Sequence, residues 1–111
     1  MKGAPLYRDT LALSKLLLLE VEGGDDFQLL RQRLAKGALR LLDEVTLSFS
    51  GIERYEQLQG ADAELQGLRA HLLLALELDL IDDETFLGFS EQADRIGRQL
   101  GGWLKQLEES H

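Results

Sequence analysis

The stretch Phe86–Leu107, FLGFSEQADRIGRQLGGWLKQL, decides the fold. Its apolar side chains fall at Phe86, Phe89, Ala93, Ile96, Leu100, Trp103 and Leu107, in alternating steps of 3 and 4. At about 100° per residue these seven form one narrow stripe on an α-helix, with Asp94, Arg95, Arg98, Gln99 and Lys105 outside it. Such stripes pack helix against helix at shallow angles, as in bundles and coiled coils.

Upstream, Phe27, Leu30, Leu34, Ala38, Leu41, Val45 and Phe49 keep the same rhythm, and so do Leu58, Ala61, Leu65, Leu68, Leu72 and Leu76. A further helix is expected from Pro5 to about Glu22, through Leu6, Leu13, Leu16 and Leu17. Proline suits a first helical turn, where its missing N–H has no partner to lose. Between Leu16 and Leu19 the apolar residues sweep round the whole helix, which predicts cover on several sides.

The breaks are short. Gly23 and Gly24 stop the first helix, one of them as a left-handed cap, and Asp25 or Asp26 is the expected N-cap of the second. Ser48, Ser50 and Gly51 end the second helix, the third runs from about Glu53 to Leu80, and Asp82 or Asp83 caps the fourth. Connections this short make consecutive helices antiparallel neighbours. The expectation is one all-α domain over residues 1–111, an up-down-up-down antiparallel four-helix bundle. Leucine dominates the apolar content, β-branched residues are scarce and the only proline is Pro5, all of which favour long helices.

Composition removes several chemistries. Without cysteine there are no disulfides, thiolate nucleophiles or thiolate metal ligands. Di-metal carboxylate bundles need Glu-x-x-His on each of two helices; the histidines are His71, preceded three residues earlier by Leu68, and the terminal His111, whose Glu108-Glu109-Ser110-His111 is a single tetrad and does not meet that need. The serines lack a glycine-flanked elbow, and no phosphate-binding glycine loop is present. The acidic run Asp79, Asp82, Asp83, Glu84 lacks the spacing of a calcium loop and is read as helix capping. The chain is therefore expected to be non-enzymatic, with no catalytic, metal or cofactor site. Met1–Asp9 lacks the pattern of a secretion signal, and no apolar run approaches the roughly 20 residues of a membrane span. A cytoplasmic protein is expected.

Two surface features carry the functional expectations. Gly60, Ala63, Gly67, Ala70, Leu74 and Leu78 form a second stripe on the third helix, roughly opposite its core stripe. Small residues admit a close neighbour and the leucines supply area, so this stripe is the expected homo-oligomer interface. On the second helix Arg33, Lys36 and Arg40 lie within about 60° of one another, a possible contact for nucleic acid or a protein partner. The net charge is −8, and residues 61–111 hold eleven acids against four bases. Such a chain repels phosphate backbones on average, while its basic helix is suited to meet acidic surface on another copy.

Three segments carry a family resemblance: Leu30-Arg31-Gln32-Arg33-Leu34-Ala35, Ala61-Asp62-Ala63-Glu64-Leu65 and His71-Leu72-Leu73-Leu74-Ala75, followed by an acid-capped last helix. Together they resemble the four-helix-bundle proteins encoded in 23S rRNA intervening sequences, a group that includes the accessory variability proteins of diversity-generating retroelements. The resemblance implies a bundle that assembles into a homo-oligomer, characteristically a pentamer. For the retroelement members it also implies contact with nucleic acid and a reverse transcriptase through basic surfaces. This chain departs at Leu42-Asp43-Glu44-Val45-Thr46, where the family has an Asn-x-Ala-Glu-Gly-like segment, and in its negative charge. A homo-oligomeric scaffold or adaptor is thus the leading expectation, and a nucleic-acid accessory factor the alternative.

Overall fold

The computed structural model describes residues 4–109, so His111 lies outside the described residues. Four helices follow one another: α1 (Ala4–Val21), α2 (Gln28–Ser48), α3 (Arg54–Glu77) and α4 (Asp83–Glu109). Each packs on its chain neighbours, and α1 closes the ring against α4. Cross-links between helices show the antiparallel course. Tyr55 pairs with Glu108 and Arg69 with Asp94, so α3 and α4 run in opposite directions. The result is an up-down-up-down bundle of 46 × 20 × 20 Å.

The alternating 3/4 stripes supply the core. Leu34, Leu41 and Val45 of α2, Leu58, Leu65 and Leu68 of α3, and Ile96 and Leu100 of α4 are buried. Leu6, Leu13 and Leu17 of α1 complete it. Alanines at 38, 61, 75 and 93 are fully buried, which lets the backbones approach between the leucine layers. Among the described residues the three buried hydroxyls each donate to a carbonyl: Thr10 to Leu6, Ser48 to Val45, and Ser14 across to Ala38 of α2. Their burial therefore leaves no hydroxyl donor unpaired.

Several expectations are corrected at helix ends. Neither Asp25 nor Asp26 caps α2; Phe27 occupies the N-cap position with φ 50°, and no side chain caps the helix. Arg31 explains the difference. Its guanidinium, 14% exposed, donates to the Asp26 carbonyl at 2.8 Å, the Asp26 carboxylate at 2.9 Å and the Val21 carbonyl at 3.1 Å. Asp26 is thereby engaged by Arg31, and Phe27, expected in the core, is 45% exposed. Gly24 accommodates this knot, because a Cβ there would overlap the guanidinium. Gly23, with φ 82°, is the left-handed residue after α1.

Helix α3 ends at Glu77, short of Leu80. Asp79 takes φ 59°, its N–H bonds the Leu76 carbonyl, and the Leu80 N–H reaches back to Ala75. This is a Schellman termination with aspartate where glycine is usual. Three residues on, the Asp82 carboxylate accepts the Thr85 N–H at 2.8 Å and caps α4. In α3 the fully buried residue near the C-terminus is Ala75, with Leu76 half-buried; Trp103 and Leu107 of α4 are also half-buried.

Candidate binding groove between the second and third helices

The two residue sets singled out on the surface prove to be neighbours. Residues facing α3 from α2 are fixed by three contacts: Arg40 reaches Glu64, Gly37 faces Leu68, and Glu44 lies over Gly60. The outer flank of α2 then carries Arg33, Lys36 and Arg40, and the adjoining flank of α3 carries Gly67 and His71. Together they enclose a groove of about 220 Å³ whose floor is Gly37, Gly67 and Leu68. Glu64 is its one lining carboxylate, 3.8 Å from Arg40. At that distance, with the Arg40 side chain 57% and the Glu64 side chain 31% exposed, the pair adds little stability. Arg33, Lys36 and Arg40 are all exposed.

The small-residue stripe is divided by this geometry. Gly60 sits under the Glu44 carboxylate, where a Cβ would approach one oxygen to 2.7 Å. Gly67 forms part of the groove. Ala63 and Ala70 are exposed on the outer face, and Leu74 and Leu78 are 46% and 39% exposed. Sequence periodicity placed the stripe on one face of α3 but did not show that the cations of α2 stand beside it. Gly37 and His71 were not grouped with the cations in the sequence, because their proximity depends on the rotation of α2 against α3.

The bundle's own packing does not demand two of these glycines. A Cβ at position 67 would meet nothing within 4 Å, and one at position 37 would make ordinary contact with Leu68 at 3.5 Å. Each glycine inside a helix costs about 0.8–1 kcal/mol relative to alanine. What they provide is open depth between the cationic side chains.

Exposed apolar surface also gathers elsewhere. Ser14 and Ala38 meet at the α1–α2 junction. Leu11 and Leu18 lie one turn either side of Ser14, while Ala35 and Leu42 flank Ala38 in the same way. Leu11 and Leu39 are 44% and 47% exposed and Leu18 and Leu42 are half-buried, with exposed Lys15 one turn from both Leu11 and Leu18. Leu29, beyond the groove on α2, is exposed on the same outer face as Leu74 and Leu78.

At the opposite end of the bundle, Gly51, Arg54, Tyr55, Glu56 and Glu108 line a wider concavity of about 810 Å³. Three of its polar side chains are engaged within the fold: the Tyr55 hydroxyl donates to Glu108 at 2.9 Å, and Arg54 donates to the Ser48 carbonyl. The hydrogen bond to Glu108 is the leading reason the Tyr55 phenol is held above its ordinary pKa. Among the described residues, no group of three or more histidines and carboxylates is arranged to hold a metal, and no helix is long and apolar enough to cross a membrane. Comparison of the chain with protein-family models, with curated proteins and with solved structures returns no match.

Proposed function

We propose that the protein is a non-enzymatic building block that self-associates into a homo-oligomeric scaffold or adaptor. The observation that carries this reading is the leucine-rich surface at the α1–α2 junction. Half-exposed leucines stand there on both helices, Leu11 on α1 and Leu39 on α2, with Lys15 the charged side chain beside them. A side face of a 46 × 20 Å bundle offers about 900 Å², close to the roughly 800 Å² per partner of a standard stable interface.

A second apolar patch, Leu29 with Leu74 and Leu78, lies on the next face of the bundle. Two unlike patches on one protomer suit head-to-tail contacts, which close into a ring when the rotation permits. The pentamer implied by the family resemblance is a ring of this kind. The expected solution mass is a multiple of 12.5 kDa, measured by light scattering on the eluting peak. A species of 12.5 kDa across the accessible concentration range refutes the reading.

The alternative is a nucleic-acid accessory factor, or a reverse transcriptase partner, acting through Arg33, Lys36 and Arg40. Their convergence on one groove favours it. The chain's net charge of −8 weighs against it. Retention on immobilised RNA that falls with salt and is lost in Arg33→Glu/Arg40→Glu supports this alternative, and absence of retention at low salt removes it.

A further inference from the structure

We propose that the groove between α2 and α3 is a binding site for a compact oxyanion, either free phosphate or the phosphate-monoester end of a small molecule. Three features support the assignment. Arg33, Lys36 and Arg40 line one groove, opposed there by the single carboxylate of Glu64. Arginine offers a planar fork of donors matched to phosphate oxygens, and lysine adds a point charge. His71 lines the opposite wall and adds a ring N–H within the same concavity. The floor is glycine on both helices, at positions where the bundle's own packing accepts a Cβ. Glycine there keeps space that a ligand occupies.

The extent of the groove selects a compact ligand over a strand. From Arg33 to Arg40 the helix advances only about 10 Å. Beyond Arg40 the face turns acidic, with Asp43 and Glu44 next on α2. Beyond Arg33 it turns apolar at Leu29, with Leu74 and Leu78 on α3. A polynucleotide continuing along the face would carry its phosphates over those carboxylates. A single phosphoryl group lies wholly within the cationic segment.

The assignment does not rest on the α1–α2 face, since neither Leu11 nor Leu39 lines the groove. Its test is titration of the full chain with inorganic phosphate, followed by amide chemical shifts in two-dimensional NMR. Saturable shifts centred on Arg33, Gly37, Arg40 and Gly67 are expected. Arg33→Ala and Arg40→Ala should each weaken binding at least about tenfold, as loss of a charge-assisted hydrogen bond does. Gly67→Leu should abolish binding by filling the groove, and its side chain enters open space in the folded bundle. Arg98→Ala, on the exposed face of α4, should leave the affinity unchanged.

Parallel titrations with adenosine monophosphate and a 20-nucleotide RNA separate the sources. Tighter binding of the monophosphate identifies a monoester ligand, and equal affinity identifies free phosphate. Shifts that never saturate, or equal losses in Arg98→Ala and Arg40→Ala, overturn the site. RNA affinity that rises with strand length while phosphate alone does not bind overturns the compact ligand in favour of nucleic acid.

Discussion

Replacing Leu39 by glutamate separates assembly from folding. In the isolated bundle Leu39 is 47% exposed, so its outer half already faces water. A surface substitution of this kind changes fold stability by only about 0.5 kcal/mol. In an assembly through the α1–α2 face, that outer half is the part to be buried. Complete burial of a leucine is worth about 1.5–3 kcal/mol, so half is worth about 1 kcal/mol, and Leu11 with Leu39 about 2 kcal/mol per contact. That gain corresponds to roughly 30-fold in the dissociation constant. A carboxylate at position 39 removes the Leu39 share and adds the cost of desolvating an unpaired charge. Leu39→Glu should therefore lower the mass measured by light scattering toward 12.5 kDa while far-UV circular dichroism keeps its helical spectrum. An oligomer whose mass and dilution behaviour match the parent refutes the reasoning, because the α1–α2 face would then lie outside the contact.

Three further outcomes probe the helix ends. Asp79→Gly should stabilise the fold by about 1 kcal/mol, because a left-handed φ penalises any Cβ; the denaturant midpoint should rise with an unchanged slope. The Asp82 carboxyl is held below its ordinary value, first by the backbone N–H of Thr85 and then by its hydroxyl, so its contribution is full above the unfolded carboxylate pKa and is lost as pH falls through the folded one. Asp82→Asn should flatten that acid limb of the stability curve, as followed by denaturation midpoints across the acid range. Arg31→Met should cost about 2–3 kcal/mol by removing charge-assisted bonds that join the end of α1 to the start of α2, measured by urea unfolding.

Much of the fold was legible because one rhythm recurs in three helices. The alternating steps from Leu30 to Val45, Leu58 to Leu72 and Phe89 to Leu100 each name residues that the structure buries. A period-3.6 pattern carries that information locally, whatever the neighbours are. The failures occur at helix ends, where a side-chain contact or a left-handed residue overrides the pattern. Asp26 looks like a cap in sequence, but Arg31, five residues on, engages its carboxylate and its carbonyl. Leu80 continues an apolar pattern, yet Asp79 has already turned left-handed and ended α3. The groove was legible only in halves. Arg33, Lys36 and Arg40 share a face of one helix and Gly67 belongs to a face of another. Their meeting depends on how far α2 and α3 rotate about their axes, and periodicity along a single helix leaves that rotation open.

The even number of alternating helices sets a polarity. The beginning of α1 and the finish of α4 emerge at the same pole, beside the α2–α3 turn, where Tyr55 holds Glu108 at 2.9 Å. The other pole consists of two tight reversals, one braced by Arg31 and the other by the Asp79–Asp82 corner. A fusion partner joined to either terminus is therefore displayed at one pole. In a ring of parallel protomers such cargo gathers on a single rim, and the opposite rim stays bare.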